Sequence, residues 1–142
     1  MKTTRMLFIV FLALLVCSSA SSDSLSVDMD LTLLDGNLLI SKVSEIRTNP
    51  HVYSGKVLRL RGQYYSYGTG NDVQRNLIVC ENSCCLEEGV KLLPAEGAKF
   101  VWPENNATIT IMAIVEPAVT DSGVFSSVFI VHSIEDLSQT NR

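Results

Sequence analysis

The sequence is poor in charge, and the charge it carries leans acidic. Asp, Glu, Lys and Arg make up only 18% of its 142 residues, and eleven Lys+Arg against fifteen Asp+Glu leave a net charge of −4. Non-specific nucleic-acid binding depends on a cationic surface that releases counterions, so this balance argues against a nucleic-acid partner. No run of like charges forms an interaction tail. Histidine is scarce as well: His51 and His132 stand far apart, and each reads as surface or strand filler before it reads as a catalytic base. The sequence has no G-x-S-x-G, no P-loop and no Rossmann glycine pattern. With no visible nucleophile or acid–base pair, the chain reads as non-enzymatic and without a cofactor. There is no internal repeat and no low-complexity tract. The length suits one domain and leaves little room for a second core.

What the sequence does have begins at its N-terminus. A basic start, Met1-Lys2-Thr3-Thr4-Arg5, leads into an apolar run from Met6 to Cys17, then Ser18-Ser19-Ala20. This is the pattern of a secretory signal peptide, with cleavage expected after Ala20. The run falls well short of the roughly 20 residues that cross a bilayer as a helix, so the mature chain is expected to hold no membrane span. A rival reading makes Cys17 a lipidated residue that tethers the domain to a membrane. Val16 stands before it, where lipoprotein signals carry Gly, Ala or Ser, and that favours simple cleavage. The expected location is periplasmic or extracellular.

Residues 21–37 are rich in Ser and Asp and read as a spacer; a short edge strand through Met29 to Leu34 is the alternative. Ser41 can cap a short helix carrying Val43 and Ile46 on one face, with Asn49-Pro50 ending it. Strand patterns follow. Lys56 to Arg61 alternates, with Leu58 and Leu60 on one side and Arg59 and Arg61 on the other. Gly62 interrupts the alternation, and Gln63 to Tyr67 resume it, which predicts a bulge or sharp bend. Asn76 to Cys80, Val90 to Leu93, Ala107 to Val115 and Val124 to Ser133 complete a set of five strands. The reading is mainly β, a small five-stranded barrel or sandwich over residues 38–137 with a short N-terminal helix, and a polar tail at 138–142.

Two segments carry a resemblance. Ser44 to Gly62, with Asn49-Pro50-His51-Val52-Tyr53-Ser54-Gly55-Lys56 at its centre, looks like the opening of exported OB-type domains. Ile78 to Glu88 resembles a bacterial family of unknown function, the YcgQ-like proteins, whose OB-like domain has paired cysteines followed by an acidic residue. Cys84, Cys85 and Glu88 match that spacing, with Glu where the family usually has Asp. The resemblance implies an OB-like barrel in an envelope protein, sometimes paired with a predicted permease, and supplies no reaction.

The cysteines offer the remaining chemistry. Cleavage removes Cys17 and leaves Cys80, Cys84 and Cys85. In an oxidising compartment the simplest outcome is a disulfide from Cys80 to Cys84 or Cys85, closing a short loop and leaving one thiol spare. A bond between the adjacent Cys84 and Cys85 closes a strained ring and would be easily reduced. Alternatively Cys80, Cys84 and Cys85 supply three soft ligands for Zn(II) or Cu(I), with Glu88, His51 or His132 completing the shell. The spacing is not that of a zinc finger, and no second C-x-x-C exists. Glu81, Glu87 and Glu88 surround these thiols and would oppose the thiolate form, against thiol catalysis.

Tyr64, Tyr65 and Tyr67 could stack bases as OB domains do, but wall and core packing accounts for them more simply. Trp102 reads as a cap on the barrel. Asn106-Ala107-Thr108 matches the glycosylation triplet, which matters only in a eukaryotic secretory pathway. The leading reading is an exported OB-like binding or accessory module for an unknown protein or small ligand. The alternative is a thiol-based protein that binds Zn or Cu.

Overall fold

The computed structural model describes residues 25–80, 87–120 and 122–136. Among these residues six strands and two helices run in the order β1 (Met29–Asp30), α1 (Gly36–Thr48), α2 (Pro50–Tyr53), β2 (Val57–Tyr67), β3 (Gln74–Cys80), β4 (Glu87–Pro94), β5 (Thr108–Val119) and β6 (Phe125–Asp136). A 3-10 turn, Leu31–Leu33, links β1 to α1, and another spans Gly70–Asp72. Strands β2, β3, β4, β6 and β5 pair in that sequence, and β5 pairs back onto β2. The sheet therefore closes into a five-stranded barrel. Four of its joints are antiparallel, and the β4–β6 joint is parallel. This is a small OB-like barrel, as the resemblance implied.

Alternation along the strands fills the interior. Leu58, Leu60 and Tyr64 of β2, Leu77 and Val79 of β3, Val90 and Leu92 of β4, and Ile109, Ile111, Ala113 and Val115 of β5 are all buried. On β6, Phe129 and Val131 point inward. Met112 then pairs with Ser133 while Ala113 pairs with Val131, so His132 is the extra residue of a bulge. The bulge resets the period-two alternation, and Ile134 packs against the core beyond it.

Gly62 is where β2 changes partner. Residues Val57 to Gln63 pair with β5, and Gln63 to Tyr67 pair with β3. A Cβ at Gly62 would lie 2.6 Å from the Ile78 carbonyl oxygen and 2.9 Å from Leu77 Cγ. Only glycine lets the strand bend this tightly over its neighbour.

α1 closes the end of the barrel where β4 and β6 begin, burying Val43 and Ile46. It starts earlier than its sequence suggested: Ser41 lies inside the helix, and Asp35 holds the cap position without a side-chain hydrogen bond. The end falls where expected, as Asn49 donates both its backbone and side-chain N–H to the Glu45 carbonyl, each at 3.0 Å. Pro50 then starts α2 in the position where its missing N–H costs nothing. Lys42, Glu45 and Tyr53 tie the two helices: Lys42 Nζ reaches the Tyr53 hydroxyl at 2.9 Å and Glu45 at 3.0 Å, and that hydroxyl donates to Glu45.

The spacer reading of residues 21–37 is corrected over its described part. Met29–Asp30 forms a parallel edge strand on β2, Leu31 is buried, and Leu34 packs on the core. Leucines at 31 and 34 stabilise this segment against the barrel as apolar contacts, which a solvated linker would leave in water.

Candidate ligand groove

A depression of about 800 Å³ lies where β2 and β3 part. Its floor is Arg61, Gly62 and Gln63 of β2 with Ile78, Val79 and Cys80 of β3, and its far wall is Thr32, Leu34 and the first turn of α1. The opening follows from the bend at Gly62. The last pair between the two strands is Gln63 with Ile78; continued one step further, the ladder would have joined Arg61 to Cys80.

Nor does β1 fill the gap. It pairs Met29 with Leu58 and Asp30 with Arg59, then leaves. The Asp30 carboxylate accepts from the Thr32 N–H at 3.0 Å and from the Thr32 hydroxyl, turning the chain into the 3-10 turn. Thr32, which a longer β1 would have placed beside Arg61, becomes groove wall instead. The Thr32 hydrogen bonds, then the nearby Arg59 guanidinium, hold the Asp30 carboxyl below its ordinary pKa. Arg59 lies 3.6 Å from Asp30 and 3.1 Å from Glu135, and those carboxylates raise its own pKa, Glu135 foremost.

The groove offers mixed chemistry. Arg61 contributes a cation, Asp35 an anion, and Asn37, Gln63, Thr32 and Thr108 neutral donors and acceptors, beside the apolar Leu34, Leu38, Leu39 and Ile78. Cys80 is exposed at its edge. Among the residues singled out from the sequence, Cys80 and Arg61 meet here. Cys84 and Cys85 lie outside the described residues, and with them the disulfide and three-thiolate readings. Glu88 faces elsewhere: its carboxylate sits 2.6 Å from Arg47 of α1, with the side chain only 12% exposed. His51 packs against Phe125, ring centroids 5.5 Å apart, and His132 occupies the β6 bulge. Among the described residues no three His, Cys, Asp or Glu side chains gather as a metal site.

The tyrosines divide. Tyr64 belongs to the core, while Tyr67 is exposed and donates to Gln74 at 3.0 Å. Trp102 caps the barrel, stacking on Tyr64 at 5.6 Å and meeting the edge of Phe100 at 5.0 Å, with the Arg75 guanidinium 5.0 Å over its ring. Asn105 extends the sheet by holding both the Ser66 N–H and the Ser66 carbonyl. A smaller cleft, about 200 Å³, lies between the ends of β5 and β6 and the outer face of β3 and β4, with Arg47 and Lys91 on its rim.

The sequence carried no direct signal for the groove. Gly62 marked the bend, but the parting of two strands is a tertiary event.

No helix among the described residues is long and apolar enough to cross a membrane. The chain matches no protein-family model and no curated protein. Among solved structures it is similar to the asparaginyl-tRNA synthetase from Pyrococcus horikoshii, at 16% identity and a TM-score of 0.45. That alignment takes in 66% of this chain and 22% of the synthetase chain, and at this level it carries no statement about function.

Proposed function

We propose that this protein is an exported, non-enzymatic OB-like binding module, and that its ligand site is the groove between β2, β3 and the first turn of α1. The groove itself is the observation that carries this reading: a depression of about 800 Å³ lined by one cation, one anion, amides, hydroxyls and leucines. Concave sites with a few placed polar groups among apolar ones are where small ligands and peptide segments bind. The acidic balance of the chain favours a protein or small-molecule ligand over nucleic acid. The N-terminal leader pattern and the Cys84-Cys85 to Glu88 spacing both point to a place in the cell envelope or outside the cell. Zn or Cu binding by Cys80, Cys84 and Cys85 is the second reading, and it rests on the three cysteines alone, since Glu88 pairs with Arg47.

The test fills the groove. Gln63→Trp places an indole on its floor without entering the core. Mature wild-type and variant protein are melted with a panel of oligosaccharides, amino-acid derivatives and short peptides. A compound that raises the wild-type melting temperature and leaves the variant unmoved supports the site. If every stabilising compound acts equally on both, the groove is not the binding site.

A further inference from the structure

The backbone at the floor of the groove points to the class of ligand. In an antiparallel ladder, alternate residues of a strand turn their N–H and C=O to opposite neighbours. Three hydrogen bonds fix that alternation along β2. The Tyr64 N–H donates to the Ala107 carbonyl at 2.9 Å, and the Lys56 carbonyl accepts from Val115 at 3.0 Å, so even-numbered residues face β5. The Val57 carbonyl accepts from Asp28 at 2.8 Å on the opposite side, so odd-numbered residues face away from β5. The β2–β5 register runs without a break from Val57 to Gln63, and the alternation holds throughout.

Arg59 is then matched by β1, and Gln63 by β3. Arg61, between them, turns its N–H and C=O into the groove, where no described residue pairs with it. The same reasoning applies to β3. Since Gln63 faces Ile78, the backbone of Cys80 also turns toward β2, opposite Arg61 and past the end of the ladder.

We infer that the groove takes an extended peptide segment, which completes the open ladder by hydrogen-bonding to the backbone of Arg61. Unpaired strand edges recruit exactly such backbones, with main-chain bonds giving affinity and side-chain pockets giving selectivity. The residues around the edge fit a peptide's side chains: Leu34, Leu38 and Ile78 for apolar ones, and Arg61 with Asn37 for acidic or amide ones. The chain's own β1 is turned away by Asp30 before it reaches this position. The inference rests on the groove being the binding site and adds the ligand class.

Proline gives a direct test. Arg61→Pro removes the N–H that β2 turns into the groove and leaves the β2–β5 bonds intact, because that N–H does not face β5. Arg61→Ala removes the same side chain but keeps the N–H, and is the reference. A phage-displayed library of random linear peptides is selected on the mature protein, and the enriched peptides are measured against both variants. Arg61→Pro should bind roughly three- to tenfold more weakly than Arg61→Ala, the worth of one backbone hydrogen bond. In the wild type, amide exchange at Arg61 should be faster than at Leu60 and Gly62, and slowed by the selected peptide; this reading survives even if the proline variant fails to fold. Equal binding by both variants, exchange at Arg61 unmoved by the peptide, or no enriched peptide would each overturn the inference. A small ligand blocked by Gln63→Trp but indifferent to Arg61→Pro would keep the groove as a binding site and remove the peptide.

Discussion

The Ser127 hydroxyl on β6 donates to the Ile46 carbonyl of α1 at 2.8 Å, a buried bond between residues 81 positions apart. It lies under the last turn of the helix, where carbonyls lose their intrahelical partners. Ser127→Ala leaves that carbonyl buried and unsatisfied, at a cost of about 1–3 kcal/mol. Urea unfolding should show a lower midpoint with an unchanged slope. A variant as stable as the wild type would mean that the helix end is satisfied elsewhere.

Gly62→Ala probes the bend. The added methyl meets a backbone carbonyl, which cannot swing away as a side chain can. The expected loss is about 1–3 kcal/mol, the usual cost of overpacking. Gly89→Ala, where a Cβ meets nothing within 4 Å, is the matched control and should be nearly neutral by thermal melting.

Acid should loosen the β1 corner. The Asp30 carboxyl is held below its ordinary pKa in the folded protein, chiefly by Thr32. Above the unfolded-state pKa this group stabilises the fold, and the contribution disappears as pH falls through the lower folded-state value. Stability measured from pH 6 down to pH 2 should therefore decline less steeply in Asp30→Asn than in the wild type. Parallel curves would show that Asp30 plays no part.

The cysteines separate the two functional readings. With a disulfide in place, alkylation of the oxidised mature protein without reductant should label one thiol, and after reduction in denaturant all three of Cys80, Cys84 and Cys85. A thiolate metal site would instead resist alkylation until a chelator is added, and metal would co-purify near one equivalent. Metal below about a tenth of an equivalent after anaerobic purification, with a disulfide seen by mass spectrometry, eliminates the Zn or Cu reading, because structural thiolate sites bind far more tightly than that.

Export is read from the mature N-terminus. Expressed with its leader, the protein should begin at or near Ser21 and carry no lipid. An acylated Cys17 would place the domain on a membrane instead.

The barrel was legible because apolar residues alternate along most of each strand. Ala107 to Val115 read as a strand, and within it Ile109, Ile111, Ala113 and Val115, at every second position, are all buried. The helix was legible in its buried residues and its end, since Val43, Ile46 and Asn49-Pro50 act locally. Its start was not, because Asp35 makes no capping bond that would mark it and Ser41 looked like the better cap. The edge strand Met29–Asp30 has only two residues, too few for a period to show. The groove depends on where Asp30 turns one chain segment and Gly62 bends another. Each residue was visible, but their meeting is set by packing between distant segments.

The closing joint of the barrel has a consequence for how the protein is made. β2 ends at Tyr67, and its partner β5 runs to Val119. A chain delivered from its N-terminus presents Leu58 and Leu60 long before Ile111 and Ala113 arrive to cover them. Loop closure over that separation makes folding slow relative to a helical protein of this size. The apolar face of α1 waits as well, since β4 and β6, against which it packs, both follow. Until then the half-made sheet keeps an unpaired edge and uncovered leucines, the features that make a folding intermediate prone to aggregate.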